Sequence, residues 1–100
     1  MRKGVLELCV LSVISDKEVY TSDILSSLKE AKLLVVEGTL YPLLNRLKND
    51  GVLKYLWEES SSGPPRKYFS LTDQGQEVRN NLKENWNNLS NSINQLVSKK

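Results

Sequence analysis

The sequence predicts a mostly helical α+β fold made of several helices and one small β-hairpin. Two observations support this prediction. Apolar residues recur at three- and four-residue spacing in separate segments, as they do in amphipathic helices. Two short runs rich in aromatic and branched residues flank the turn-forming stretch SSSGPP, which is typical of a hairpin. The predicted order is helix, helix, helix, hairpin and a long final helix.

Length and charge set the first limits. A chain of 100 residues, 39% of them apolar, fits one small hydrophobic core. A long helix that cannot fold back onto such a core needs another partner. The net charge of +2 does not by itself predict nucleic-acid binding, so a DNA-binding protein of this composition must concentrate its cations on one surface.

The residue types exclude most enzymatic sites. With no histidine and one cysteine, Cys9, the chain cannot form a His-based triad, a His/Cys metal site or an intrachain disulfide. It also has no glycine-rich phosphate loop. We therefore predict that it is not an enzyme and uses no metal or cofactor. Since no apolar run approaches the ~18 residues that span a bilayer, we expect a cytoplasmic protein without a membrane partner.

The first segment, VLELCVLSVI at residues 5–14, is apolar nearly all round. Periodicity alone does not decide between helix and strand for such a run. If it is a helix, it is buried on more than one side, with one side facing its own domain and the other able to face a second subunit.

The second predicted helix covers residues 22–31. Thr21 offers a side-chain oxygen as N-cap, and Asp23 favours the first turn through the helix dipole. Ile24, Leu25 and Leu28 follow at helical spacing. A short apolar connector, residues 33–36, leads to the next helix.

The third predicted helix lies in EGTLYPLLNRLKNDG, residues 37–51. Its buried stripe follows the i, i+3, i+4, i+7 pattern and consists of Leu40, Leu43, Leu44 and Leu47. Pro42 is compatible with the helix if it lies in the first turn, and Gly51 fits the position just past the helix end. The face opposite the leucines carries Gly38, Pro42, Asn45, Arg46 and Asn49, and its flanks carry Thr39, Tyr41 and Lys48.

The predicted hairpin joins a strand at residues 52–59 to a second strand at residues 66–71 through a polar turn. Arg66 and Lys67 follow this turn directly. We expect Trp57, on the first strand, to pack in the core or against the hairpin.

The final helix is predicted to begin after Thr72, a suitable N-cap, with Asp73 in its first turn. Its apolar stripe has the heptad rhythm of a coiled-coil seam and consists of Leu82, Trp86, Leu89, Ile93 and Leu96. At 1.5 Å per residue, about 25 helical residues extend roughly 37 Å, which exceeds a core this small. The simplest partner is the same helix of a second chain, so we predict a dimerisation seam.

The order of elements is that of a winged helix-turn-helix domain at residues 1–71, followed by a dimerisation helix at residues 72–100. In such folds the third helix enters the major groove of DNA. Asn45 suits adenine, and Arg46 suits guanine. Phosphate contacts are expected from Thr39, Tyr41, Lys48, Arg66 and Lys67, and Pro42 can meet a thymine methyl group. Tyr41 is equally compatible with packing against the hairpin.

Two stretches carry a more specific resemblance. GTLYPLLNRLKNDGVL at residues 38–53 and GPPRKYFSLTDQG at residues 63–75 resemble the (L)YPLLxRLxxxG and GPPRKYYxLTxxG signatures of PadR-type transcriptional regulators. One departure is Phe69, where tyrosine is common. The resemblance implies a homodimeric repressor that binds a near-palindromic double-stranded operator.

The resemblance also implies that Trp86 lines a cavity between subunits in which planar aromatic effectors bind. Plain dimer packing is an equally open interpretation of Trp86. A winged-helix dimer that acts as a protein-interaction module, without direct DNA readout, remains the alternative function.

Overall fold

A computed structural model of the chain describes residues 2–15, 18–59 and 62–98. In this part of the chain it contains helices α1 (Arg2–Ile14), α2 (Thr21–Glu30), α3 (Glu37–Asn49) and α4 (Asp73–Val97), and strands β1 (Val19–Tyr20), β2 (Leu53–Glu58) and β3 (Arg66–Leu71). The predicted mostly helical α+β fold, with a helix-turn-helix followed by a wing, is confirmed. Residues 60–61 of the predicted turn lie outside the described residues.

One strand was not predicted. β1 pairs antiparallel with β3 and extends the hairpin to a three-stranded sheet of order β1-β3-β2. Val19 is buried opposite Phe69, and Tyr20 lies opposite Tyr68. This pairing attaches the wing to the segment that leads into α2.

The core lies where α1, α2 and α3 meet the inner face of the sheet. α1 contributes to it mainly through the second half of the helix, where Val10, Leu11 and Ile14 are buried. The buried residues of the whole core are Val10, Leu11, Ile14, Val19, Ile24, Leu28, Leu40, Leu44, Leu47, Val52, Leu53 and Phe69. Leu43 and Cys9 are half-buried at its edge. Trp57 is 61% exposed, so the expectation that it packs in the core is wrong.

The start of α2 differs from the prediction. Tyr20, not Thr21, is the N-cap, and Thr21 is the first helical residue. The backbone N–H of Tyr20 donates to Asp23 Oδ2 at 3.0 Å. Asp23 therefore reaches back to the cap, as the third helical residue does in a capping box.

Pro42 lies in the second turn of α3, and not in the first turn, which was the position that made it compatible with a helix. Proline has no N–H, which leaves the carbonyl of Gly38, four residues earlier, without its usual helical donor. Gly38 is exposed and has no side chain, so water can satisfy this carbonyl. The helix continues to Asn49 in spite of the proline.

A tight junction orients α3, β2 and α4. Gly51, at φ +79°, donates to the carbonyl of Lys48 at 3.1 Å, and Val52 donates to that of Leu47 at 2.9 Å, which together form a Schellman motif. Thr72 N donates to the Val52 carbonyl at 3.2 Å, and Thr72 Oγ1 accepts from Gly75 N at 2.9 Å. The predicted C-terminal role of Gly51 and N-cap role of Thr72 are confirmed.

Candidate nucleic-acid interface

The outward side of α3 consists of three strips. The strip opposite the buried leucines carries Gly38, Pro42, Asn45 and Asn49, all of which are exposed. One flank approaches the wing and the other approaches α1, and each flank brings a cation. The third helix thus presents the Asn45 amide between two positively charged groups, Arg46 and Lys48.

On the wing side, one aromatic ring joins two lysines. The ammonium nitrogen of Lys48 lies 4.9 Å from the centre of the Tyr55 ring, and that of Lys67 lies 4.4 Å from the same centre. Both distances are within the range of cation–π attraction. Because Lys48 belongs to α3 and Lys67 to β3, Tyr55 brings the helix and wing cations together. Tyr41, on the same flank of α3, is 45% exposed.

On the α1 side, Arg46 forms an ion pair with Glu7 through Nη2 and Oε1. The Arg46 side chain is 50% exposed, whereas that of Glu7 is 17% exposed. The hydrogen bond to Glu7, followed by its negative charge, raises the pKa of Arg46 above the ordinary value of arginine. Leu6, Thr39, Pro42, Leu43 and Arg46 line a shallow pocket between α1 and α3.

Sequence analysis did not identify Glu7 or Tyr55 as parts of this surface. Both were assigned to other elements, and the contacts that they make join segments far apart in the chain. A glutamate in an otherwise apolar helix was the only local signal for Glu7.

Arg66 and Lys67 lie on opposite faces of the wing. Lys67 shares the inner face with Tyr55, whereas the Arg66 guanidinium lies 3.8 Å from the ring centre of Tyr20 on the outer face. The Tyr20 hydroxyl donates to Glu58 Oε1 at 2.8 Å. This hydrogen bond is the main reason why the pKa of Tyr20 is raised. Arg66, Tyr20 and Glu58 thereby connect all three strands across the outer face.

A separate apolar groove of about 310 Å³ lies between α1 and α4. Its lining residues are Gly4, Val5, Leu8, Leu82, Asn85, Trp86 and Leu89. Trp86 is 43% exposed there. The predicted seam therefore begins against α1 of the same chain, and its later members Ile93 and Leu96 are 46% and 71% exposed.

The described residues hold no group of three or more side chains suited to binding a metal ion. In the same part of the chain, no helix combines the length and apolar composition needed to cross a membrane.

The sequence model described as "Transcriptional regulator PadR-like family" matches residues 10–81. The chain belongs to the PadR-like family of transcriptional regulators. PadR proteins of this family are DNA-binding regulators rather than enzymes, so the predicted absence of enzymatic activity is confirmed.

Solved PadR structures agree with this assignment over nearly the whole chain. A PadR-like transcription factor from Bacteroides fragilis is 51% identical with a TM-score of 0.84, covering 96% of this chain and 93% of that one. A PadR-like transcriptional regulator from Bacillus cereus is 38% identical with a TM-score of 0.87, covering 100% of this chain and 98% of that one.

The PadR protein of Bacillus subtilis, solved in complex with operator DNA, shares the fold. It is 24% identical with a TM-score of 0.70, over 77% of this chain and 45% of that one.

Proposed function

We propose that the protein is a homodimeric repressor that binds a near-palindromic operator through the outward side of α3 and through the wing. The observation that carries this proposal is the exposed strip of α3 flanked by cations from both sides. Asn45 can pair with adenine and Arg46 with guanine in the major groove. The B. subtilis PadR–operator complex supports double-stranded DNA as the partner of this fold.

Phosphate contacts would fix the register of the helix on the duplex. Lys48 and Lys67, gathered at Tyr55, are placed to neutralise the backbone beside the wing. Thr39 and Tyr41 are exposed on the two flanks and can contact phosphates as well, while exposed Pro42 can meet a thymine methyl group. Arg66 remains a predicted phosphate contact from the outer face of the wing.

The second copy would dock on α4. We propose that residues 72–100, which include α4, serve dimerisation and that residues 1–71 serve DNA binding. Leu82, Trp86 and Leu89 line the groove with α1, and the stripe then continues into exposed Ile93 and Leu96, which a partner helix would cover. Since the operator would be chromosomal, we place the protein in the cytoplasm.

We also infer that a planar aromatic effector binds at Trp86. The groove is apolar, and its volume of about 310 Å³ is at the lower limit for a small-molecule site. A ligand there could shift α1 and α4, and it would alter DNA affinity only if it binds the two dimer states unequally. Planar dyes added to a Trp57→Phe variant should change the remaining Trp86 fluorescence, and an unchanged signal across the panel would contradict the assignment.

The test of DNA recognition is selection from a random duplex library by the purified protein at two salt concentrations. Enrichment of a near-palindromic motif, with binding that falls steeply with salt, is expected because several phosphates are neutralised. A folded dimer that enriches no sequence would instead favour the protein-interaction module.

A further inference from the structure

Glu7 occupies an unusual position for a carboxylate. It lies in α1, one turn before the fully buried Val10 and Leu11, and only 17% of its side chain is exposed. A carboxylate that is largely shielded from water is stabilised by a partner, and its partner is Arg46 of α3. Because Val10 and Leu11 anchor this part of α1 in the core, the carboxylate that Glu7 offers to Arg46 has a fixed position.

The ion pair does not use up the hydrogen-bonding capacity of Arg46. Glu7 engages Nη2, and a guanidinium has five N–H donors in a planar fork. Half of the Arg46 side chain is exposed. A second acceptor can therefore bind the guanidinium while the first one holds it.

We propose that Glu7 is a positioning residue for sequence recognition, which holds the Arg46 guanidinium in one orientation before DNA binds. The inference rests on the proposed function, because it needs Arg46 to read a base pair. A free arginine loses much rotamer entropy when it is immobilised. Arg46 already bears this loss in the unbound protein, and its fork is presented in a defined direction.

Two effects of removing the Glu7 charge have opposite consequences. The carboxylate repels DNA phosphates, so its loss strengthens binding to every sequence. Its loss also frees Arg46, so discrimination at the base pair read by Arg46 falls. If Glu7 instead withheld Arg46 from DNA, its loss would increase that discrimination. The direction of the change therefore separates positioning from withholding.

The experiment compares affinities of the parent, Glu7→Gln, Arg46→Ala and the double variant. The probes are the selected operator, a scrambled duplex, and the operator changed at the base pair whose identity Arg46→Ala no longer distinguishes. Discrimination is measured as the ratio of the affinity for the operator to the affinity for the operator changed at that base pair. We expect Glu7→Gln to lower this ratio by about five- to tenfold, which is part of the discrimination that a bidentate contact contributes. Its affinity for the scrambled duplex should be equal to or above that of the parent.

Three comparisons complete the design. In the Arg46→Ala background that base pair is no longer distinguished, so the ratio serves as the baseline near one, and Glu7→Gln should only strengthen or leave unchanged the overall affinity. Glu37→Gln, which removes an exposed charge from α3 itself, should leave the ratio unchanged. Glu7→Asp, which keeps the charge but shortens the side chain, should lower the ratio without strengthening binding to scrambled DNA.

The inference is overturned if folded Glu7→Gln and Glu7→Asp keep or exceed the parental ratio. Melting temperatures establish that each variant is folded. A parent that does not distinguish the operator from scrambled DNA overturns the proposed function and this inference together. A parent that does distinguish them, with variants that match it, overturns the inference alone.

Discussion

Arg66 and Lys67 are neighbours in the sequence, but their side chains lie on opposite faces of the wing. Lys67 lies 4.4 Å from the ring centre of Tyr55, on the side that α3 approaches through Lys48. Arg66 lies 3.8 Å from the ring centre of Tyr20, on the outer side. The two cations therefore cannot serve the same stretch of DNA backbone from the same surface.

This difference predicts unequal effects on salt dependence. Lys67→Ala should weaken binding to all sequences similarly and reduce the slope of log K against log salt by about one. Arg66→Ala should change the slope less, because its guanidinium is stacked on Tyr20 away from α3. Fluorescence anisotropy at several salt concentrations measures both slopes. If Arg66→Ala changed the slope as much as Lys67→Ala or more, the assignment of the DNA-contacting face of the wing would be wrong.

The exposed part of the α4 stripe predicts how the proposed dimer responds to substitution. Ile93→Asp should convert the dimer to a folded monomer, since Ile93 is 46% exposed and lies outside the core of its own chain. Asn91→Asp introduces the same side chain on the opposite face of α4 and should leave the dimer intact. Sedimentation equilibrium gives the mass of each. A dimeric Ile93→Asp protein would show that the interface lies elsewhere.

Gly75 predicts a large loss of stability on a small substitution. A Cβ at this position would lie 2.1 Å from the carbonyl oxygen of Val52, in the junction of β2 and α4. Gly75→Ala should therefore lower the free energy of unfolding by about 2 kcal/mol or more, as overpacking does elsewhere. Gly38→Ala is the matched control, because a Cβ there meets nothing within 4 Å.

The control should leave the free energy of unfolding unchanged or raise it by less than the roughly 0.5–1 kcal/mol gained in mid-helix, because Gly38 is the second residue of α3. Urea denaturation of the two variants and the parent measures both changes. Equal stabilities for Gly75→Ala and the parent would contradict the close packing of α4 against Val52.

The Tyr20–Glu58 hydrogen bond predicts a pH dependence in the alkaline range. Glu58 accepts from the neutral phenol, which raises the pKa of Tyr20. A group whose pKa is raised by folding stabilises the fold below its unfolded pKa, about 10 for tyrosine, and loses that contribution as the pH rises through the folded value. The parent should melt above Tyr20→Phe near neutral pH, and this difference should shrink above about pH 10.

Melting temperatures of both proteins from neutral to strongly alkaline pH test this expectation. In a Glu58→Gln background, the difference in melting temperature between the proteins with and without Tyr20→Phe should vary less with pH. A difference that stays constant over the whole range would show that the hydrogen bond does not contribute to stability.

The elements that the sequence predicted well are those with local signals. The second hairpin strand was predicted at the residues that form β3, because the turn before it and Thr72 after it define both ends. The Thr72 cap and the helix end at Gly51 depend on side chains and backbone within a few residues. The outward strip of α3, with Asn45, followed directly from the leucine spacing.

The features that escaped prediction depend on distant partners. β1 is two residues long, too short for any periodicity, and it exists because Val19 and Tyr20 find β3. The Arg46–Glu7 pair joins residues 39 positions apart, and no local pattern at either residue indicates the other. The second-turn position of Pro42 was not predicted, because the sequence did not show that α3 begins at Glu37.

The sequence therefore predicted the α3 and wing residues of the candidate surface, but it predicted neither Glu7 and Tyr55 nor the arrangement of the side chains. The alternation of side chains along β3 implies that Arg66 and Lys67 face opposite ways, but only the burial of Phe69 identifies the inner face. Once that face is known, Lys67 belongs with Tyr55 and Lys48, and Arg66 belongs with Tyr20.

Base-pair reading by the outward side of α3 is tested by parallel selection of DNA sequences with the parent and with Arg46→Ala. The parent should return a near-palindromic motif. The variant should return the same motif with one position in each half-site degenerate, since a bidentate arginine contact contributes about 1–3 kcal/mol of discrimination. Identical motifs from the two proteins, or no motif from the parent, would contradict base-pair reading by α3.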